Sequence, residues 1–353
     1  MFVYIGTYTG PKSQGIYVSR FDDRSGRLSA PALAAESPNP SFLALHPSGR
    51  FLYAAGEVSD FRGKPEGVVS AFLIEANSGH LTLLNQQSSG GAGPCHVAVD
   101  KQGKWLLVAN YGSGSIAALD IQPDGRLRET GAVVQHHGSS VNPQRQREPH
   151  AHFIHPDPEN RFALVCDLGL DKVLIYKMEP ILSSNDFPSM SVVAGSGPRH
   201  LVFHPNKRSA FLINELTSTL TVCSYNANRG ELKDVQTLST LPADFKGDNT
   251  CAEVQVYPSG KFVYGSNRGH DSIALFAYDQ RSGRLGFVGC EPTQGKTPRH
   301  FALAPSGKWM VVENQGSDNI VVFAVDTASG RLKPNGQKIT VGQPVCAVFG
   351  APK

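Results

Sequence analysis

The chain has 353 residues, of which 40% are hydrophobic and only 18% are charged, and its formal net charge is +3. So small a charge argues against nucleic acid or an anionic membrane surface as a partner, although it leaves room for a locally positive pocket. The 36 Gly and 24 Pro residues predict many tight turns rather than long helices.

The six cysteines are spread singly along the chain, without the paired spacing of a metal finger. Most of them lie in apolar, strand-like runs, which predicts small buried residues in a reducing compartment. The N-terminus has no basic segment followed by a long apolar one, and no run approaches the length that spans a bilayer. We therefore expect a cytoplasmic protein.

Two markers recur from one end of the sequence to the other. One is a Gly-x-Leu hairpin, which first occurs at Gly26-Arg27-Leu28. The other is an apolar strand that ends on Asn or Asp, at Asn110, Asp167, Asn214, Asn267 and Asn314. Both markers recur about every 50 residues, apart from one degenerate copy between Met178 and Met190. The chain therefore contains seven copies of one unit.

Each unit contains four strand-like runs with alternating apolar residues and many β-branched or aromatic side chains. In the second copy the runs are Phe42–Leu45, Phe51–Ala55, Val68–Ile74 and Leu81–Gln86. Four strands repeated seven times predict an all-β fold, a seven-bladed β-propeller of four-stranded antiparallel blades. We expect a single domain over residues 1–353.

The ends of the chain fit the same fold. The chain starts with three predicted strands, Phe2–Thr7, Gly15–Phe21 and Ala30–Glu36, and finishes with a single one, Pro344–Phe349. Pairing the C-terminal strand with the N-terminal three would close the ring and leave no free edge between the first and last blades.

The innermost strand of most copies opens on a Pro, and the residues that follow it are unexpectedly polar. They include His96, the Pro149-His150-Ala151-His152 segment, Arg199-His200, Glu253 and Arg299-His300, while Asp167, Glu215 and Arg268 end or follow second strands and Arg145 lies in a polar loop. Charges that face a channel need partners. Arginine binds phosphate or carboxylate in bidentate fashion, and histidine titrates near neutral pH. The pattern predicts a site for a small anionic ligand.

Structural roles compete with this interpretation. Asn and Asp at strand ends commonly bond nearby backbone amides in turns. A metal site built from His150, His152 and Asp167 is conceivable, but no helix holds these residues on one face and the oxygen-rich pattern for Ca²⁺ is missing. We expect neither a metal nor another cofactor.

Several long motifs resemble those of the seven-bladed propeller lactonases, and the resemblance runs in register along the whole chain. The motifs are Tyr4-Ile-Gly-Thr-Tyr-Thr9, Gly138–Gln146, Pro149–His152, Cys166-Asp-Leu-Gly169, Gly197-Pro-Arg-His200, Asn214-Glu-Leu216 and Ser266–Ile273. The family contains the bacterial propeller-type 6-phosphogluconolactonase and the fungal 3-carboxy-cis,cis-muconate lactonising enzyme. The resemblance implies a metal-independent site in the central cleft.

The same resemblance implies roles for individual residues. The catalytic histidine would be His150 or His152, the arginines Arg199 and Arg268, and the acid Glu215. The other predicted substrate-binding residues are Arg145, Asp167, His200, Arg299 and His300.

The function implied is hydrolysis of 6-phosphoglucono-1,5-lactone to 6-phosphogluconate, in the pentose phosphate pathway. A histidine or Glu215 would take a proton from water, and an arginine would stabilise the oxyanion. The alternatives are a cycloisomerase that forms a muconolactone, a lactonase for unphosphorylated sugar acids, and a non-enzymatic propeller scaffold. The sequence leaves the oligomeric state open.

Overall fold

The structure, a computed structural model, describes residues 1–183 and 189–350. In this part of the chain, 29 strands form seven antiparallel sheets, which confirms the all-β, seven-bladed propeller. A single 3-10 turn, Gln315–Ser317, interrupts the strands, and no helix of the described residues has the length and apolarity that a membrane crossing requires. Residues 184–188 of the degenerate copy lie outside the described residues.

Blade 1 consists of β1 (Phe2–Thr7), β2 (Gly15–Asp22), the two-residue β3 (Arg27–Leu28), β4 (Ala32–Glu36) and the last strand of the chain, β29 (Pro344–Phe349). Blades 2 to 4 are, from the innermost strand outward, β5–β8 (Pro40–Leu45, Phe51–Gly56, Val68–Ile74, Leu81–Ser88), β9–β12 (Pro94–Val99, Trp105–Asn110, Ser115–Ile121, Leu127–Gln135) and β13–β16 (Ala151–Pro156, Phe162–Asp167, Lys172–Lys177, Met190–Ser191). Blades 5 to 7 are β17–β20 (Pro198–Phe203, Ser209–Asn214, Thr219–Asn226, Glu231–Ser239), β21–β24 (Thr250–Val256, Phe262–Arg268, Ser272–Asp279, Arg284–Pro292) and β25–β28 (Pro298–Leu303, Trp309–Asn314, Asn319–Val325, Leu332–Thr340).

The ring closes as predicted. β29 is the innermost strand of blade 1 and pairs antiparallel with β1, with Val3 opposite Phe349 and Gly6 opposite Cys346. The predicted third strand, Ala30–Glu36, begins two residues later, at Ala32. Pro31 cannot donate a hydrogen bond to a ladder, so regular pairing starts after it.

The hydrophobic core is divided among the interfaces between neighbouring blades. Seven clusters of buried side chains fill these interfaces, one for each pair of neighbours around the ring. The second strands, such as β6, are buried along their whole length, whereas outer strands such as β12 alternate between inward and solvent-facing residues. Polar side chains on the inner strands are therefore exceptions that need a chemical reason.

A register shift occurs near the start of every innermost strand, where it pairs with the end of the second strand. The extra residue of this bulge is Cys95 in blade 3, His152 in blade 4, Arg199 in blade 5 and Arg299 in blade 7. A β-bulge turns a side chain away from its regular direction. The start of one antiparallel strand and the end of its partner also lie at the same end of a sheet. The seven bulges thus meet at one mouth of the channel.

Candidate active site

A cavity of about 290 Å³ lies at this mouth, and every blade contributes to its wall. Its lining consists of Tyr8, Glu57, Cys95, Tyr111, Arg145, His152, Glu215, Thr250, Arg268 and Arg299. A larger groove, about 840 Å³, lies near the chain termini between blades 1 and 2. There Arg20 and Arg50 lie over different phenylalanine rings, Phe2 and Phe51, whereas the smaller cavity is lined by arginine, glutamate and histidine side chains from several blades. The channel cavity is therefore the candidate site.

Glu215 is the centre of an ion-pair cluster that joins three blades. Its Oε1 accepts a hydrogen bond from Arg145 Nη2 at 2.7 Å. Its Oε2 lies 3.0 Å from Arg199 Nε and 3.1 Å from Arg268 Nη2. Burial would raise the pKa of this carboxyl, but Arg268, Arg199 and Arg145 outweigh it and lower the pKa to about 2. Glu215 is therefore ionised at neutral pH and is a poor proton acceptor.

We expect Glu215→Gln to destabilise the protein by roughly 3–5 kcal/mol at pH 7, because it leaves buried arginines without their counter-ion. The pKa of Glu215, about 2 when folded, lies below the ordinary 4.5. The carboxylate's stabilisation is therefore complete above about pH 4.5 and is lost as the pH falls through about 2. Urea unfolding of both proteins at several pH values should show the difference shrink on acidification.

The matched control is Glu159→Gln, which breaks the exposed pair between Glu159 and Lys207. An exposed pair contributes only about 0–1 kcal/mol. Equal losses in Glu215→Gln and Glu159→Gln would show that the buried cluster contributes nothing special to stability.

The two candidate histidines have different surroundings. His150 stacks on the ring of Tyr111 at 4.4 Å, and its Nδ1 lies 2.9 Å from the Tyr111 carbonyl oxygen. His152 lines the cavity and is 5% exposed, and its buried Nδ1 has no hydrogen-bond partner among the described residues. Burial, then the charges of Arg199 and Arg299, hold the pKa of His152 well below 6.5. His152 is therefore neutral at pH 7 and available to accept a proton.

Arg299, near the start of the innermost strand of blade 7, also lines the cavity. Its guanidinium lies over the ring of Tyr8, 5.3 Å from the centroid. No carboxylate of the described residues lies within 4.0 Å of it, and none of its nitrogens hydrogen bonds there. Burial disfavours the charged form of Arg299, but Tyr8 and, from beyond 4.0 Å, Glu57 and Glu215 raise its pKa above the ordinary value. A partly buried cation that makes no hydrogen bond to the described residues is suited to an anionic ligand.

Three predicted site residues lie behind the cavity wall. Asp167 accepts hydrogen bonds from the backbone N–H groups of His150 and Leu170, and its other oxygen lies 2.6 Å from His136 Nδ1. His200 and His300 follow Arg199 and Arg299 along their strands. None of the three lines the cavity.

Behind the cavity, His200 and His300 belong to a buried polar chain. His200 Nδ1 lies 2.8 Å from Glu253 Oε2, and His300 Nδ1 lies 2.9 Å from Glu313 Oε2. Burial raises the pKa of Glu253 to about 8 and lowers that of His300 to about 3. Both pairs are therefore held largely uncharged, which reduces the cost of burying them beneath the arginines.

The cavity wall includes residues that the sequence analysis did not select. Tyr8 lies in the Tyr4–Thr9 motif but was given no role, and no motif marked Tyr111 or Thr250. Tyr8 and Tyr111 directly follow a second strand, as Glu57 and Glu215 do. This shared position, directly after a second strand, is the sequence signal that could have identified Tyr8 and Tyr111 as cavity residues. Cys95 also lines the wall, but burial raises the pKa of its thiol, so a thiolate nucleophile is not available near neutral pH.

No set of three or more His, Cys, Asp or Glu side chains within residues 1–183 and 189–350 is arranged to hold a metal ion. His150, His152 and Asp167, the conceivable metal ligands of the sequence analysis, have separate hydrogen-bond partners and surroundings. The Asp167 carboxylate bonds the backbone, not the ring, of His150, and His152 faces the cavity.

Comparison with known proteins agrees with this geometry. The family model for lactonases of the seven-bladed β-propeller type matches residues 2–349. A 6-phosphogluconolactonase of Bacillus subtilis is 38% identical over 299 residues, which are 84% of this chain and 83% of that protein. A protein of the same name from Formosa agariphila is 34% identical over 311 residues, or 85% of this chain and 86% of that one.

A solved structure extends the similarity to almost every residue. The periplasmic gluconolactonase of Pseudomonas aeruginosa superposes with a TM-score of 0.93 at 34% identity, and the match covers 99% of both chains. Motifs, blade count and relatives all agree with the resemblance that the sequence analysis stated. The chain belongs to the lactonase family of seven-bladed β-propellers.

Proposed function

We propose that the protein hydrolyses 6-phosphoglucono-1,5-lactone to 6-phosphogluconate. The observation that favours a phosphorylated substrate is an imbalance of charge. Four arginines but only two carboxylates, Glu57 and Glu215, lie at or directly behind the cavity wall. The excess of two positive charges matches a phosphate dianion on an otherwise neutral lactone. The names of two relatives support the same substrate.

His152 is the general base of the proposed reaction. Its neutral imidazole accepts a proton from water while the water oxygen attacks the lactone carbonyl carbon. The ring C–O bond then breaks, and the proton returns to the leaving ring oxygen. Bound phosphate would offset the positive field of Arg299 and thereby raise the basicity of His152 in the complex. His150 is bonded to the Tyr111 carbonyl and is the weaker candidate.

Arg268 stabilises the oxyanion in this scheme. It lines the cavity, and its buried Nε has no hydrogen-bond partner among the described residues. Arg199 is 2% exposed and donates to Glu215 and to the Ala252 carbonyl, so it supports the cluster from behind. Donors that are already oriented towards developing charge lower the barrier without reorganisation during the reaction.

Arg299 binds the phosphate, with the free nitrogens of Arg145 as a second contact. Asp167, His200 and His300 act through their neighbours, by orienting the residues that line the cavity. A cytoplasmic location remains a prediction.

We expect Arg299→Met to raise the KM for the phosphorylated lactone about 10- to 100-fold, the usual range for losing a charge-assisted hydrogen bond. The KM for glucono-1,5-lactone, which lacks phosphate, should change little. Initial rates with both substrates measure the ratio. An equal rise in KM for both lactones would show that Arg299 does not bind the phosphate group. Arg126→Met is the control, since Arg126 pairs with Asp124 on the surface, away from the cavity.

The direct test is hydrolysis of freshly prepared 6-phosphoglucono-1,5-lactone, coupled to 6-phosphogluconate dehydrogenase and corrected for the spontaneous rate. Absence of any enzyme-dependent rate would reject the phosphorylated substrate. The second candidate is then an unphosphorylated sugar lactone, which the name of the Pseudomonas relative favours. A muconate cycloisomerase would show itself by loss of ultraviolet absorbance when muconates are added.

A further inference from the structure

We infer that Glu57, held in place by Tyr8, accepts hydrogen bonds from the hydroxyl groups of the substrate and so selects polyhydroxylated lactones over substrates that carry only carboxylates. The inference rests on the proposed function, because it assigns a specificity role within the same cavity.

The two carboxylates of the cavity have opposite surroundings. Glu215 is bonded by three arginines. Glu57 Oε2 instead accepts one hydrogen bond, at 2.8 Å, from the hydroxyl of Tyr8. Within residues 1–183 and 189–350 no cation lies within 4.0 Å of Glu57, and no donor reaches its Oε1. Glu57 therefore presents a free acceptor oxygen to the cavity.

Asn39 ties the loops that carry Tyr8 and Glu57 together. Its Oδ1 accepts hydrogen bonds from the backbone N–H and the hydroxyl of Thr9, both at 2.9 Å, and its Nδ2 donates to the Glu57 carbonyl oxygen at 3.2 Å. Asn39 has a φ of 40°, in the left-handed region that asparagine tolerates better than most residues. The tyrosine and the carboxylate are thus oriented before a ligand binds, which lowers the entropy lost on binding.

The chemistry of a free carboxylate favours hydroxyl groups. An ionised oxygen only accepts hydrogen bonds, and a sugar hydroxyl can donate one that is stronger than a bond between neutral groups. A substrate carboxylate placed there would meet a like charge, which disfavours muconates. Arg299 of blade 7 and Arg145, in the loop between blades 3 and 4, remain available for the single anionic group of a sugar phosphate.

Two phosphates of equal carbon number test this directly. Sorbitol 6-phosphate and hexyl phosphate share the six-carbon chain and the phosphate but differ in their hydroxyl groups. Titration calorimetry should show that the wild-type protein prefers sorbitol 6-phosphate. Glu57→Gln should weaken its binding about 10- to 100-fold, the range for a hydrogen bond to a charged group. Binding of hexyl phosphate should change less than about threefold.

Two further variants control for charge and folding. Glu36→Gln removes one negative charge from an exposed position on β4 and should leave both affinities as they are in the wild type. Tyr8→Phe removes the positioning hydrogen bond, so it should weaken only sorbitol 6-phosphate, about 3- to 10-fold. Thermal unfolding checks that each variant is folded.

The inference is overturned if the wild type does not prefer sorbitol 6-phosphate, or if Glu57→Gln weakens both phosphates equally. The wild-type lactone assay is run alongside and answers a separate question. No turnover of any lactone would reject the proposed function, while the ratio of the two affinities would still decide whether Glu57 recognises hydroxyl groups.

Discussion

Replacing His152 by alanine is expected to lower kcat/KM for lactone hydrolysis by about 10²- to 10⁴-fold, the usual contribution of a positioned general base. His152 is the histidine that lines the cavity, and its buried Nδ1 has no hydrogen-bond partner among the described residues. His150→Ala is the matched comparison, because its Nδ1 is bonded to a backbone carbonyl oxygen. We expect a loss of less than about tenfold for His150→Ala. A larger loss of kcat/KM in His150→Ala than in His152→Ala would identify His150 as the general base.

The pH dependence provides an independent check. Burial and the nearby arginines lower the pKa of His152 well below 6.5, so the neutral form, which is the base, persists as the pH falls through neutrality. The acid limb of the kcat/KM profile should therefore lie well below pH 6.5 and should be absent from His152→Ala. An acid limb near pH 6.5 in the wild type, or one retained in His152→Ala, would contradict this assignment. Added imidazole should restore part of the activity of the alanine variant.

Replacing Arg268 by methionine is expected to lower kcat by about 10²- to 10³-fold, which is the cost of removing one oxyanion donor. Methionine keeps much of the side-chain volume, so the loss reflects the missing charge and hydrogen bonds. The KM should change less than kcat, because the interaction strengthens mainly in the transition state. Initial-rate kinetics with 6-phosphoglucono-1,5-lactone give both values.

Arg268→Lys and Arg268→Ala separate the possible causes. Lysine keeps the charge but lacks the planar donor fork, so it should recover only part of the rate. Guanidinium ion added to Arg268→Ala should restore activity if the lost group acts directly. Full turnover by Arg268→Met would show that another donor stabilises the oxyanion. Arg199→Met would then be the next variant to test.

The blade count, the strand positions and the closure of the ring were predictable from the sequence, because they depend on local patterns. Turn residues, apolar alternation and the repeat spacing act over a few residues each, and every copy carries them. Even the error at Ala30–Glu36 had a local cause, the missing N–H of Pro31. The motifs at the channel mouth also identified the family.

Tertiary structure decided which side chains face the cavity. The sequence predicts that the inner strand of blade 4 opens on Pro149, but this strand starts at Ala151, and a bulge at His152 accompanies its position in the cavity wall. Residues two apart in a regular strand point to the same face, so the spacing in the sequence could not choose between His150 and His152, and the position of the bulge decided it.

The charge state of the site also came from contacts between distant parts of the chain. Glu215 has a low pKa because Arg268, Arg199 and Arg145 surround it, whereas no carboxylate of the described residues lies within 4.0 Å of Arg299. Burial and counter-ions determine such shifts, and the counter-ions of Glu215 include Arg145, which is 70 positions away in the sequence. The sequence by itself determined the fold, the family and the inventory of chemical groups, and the closure of seven blades decided which of those groups meet.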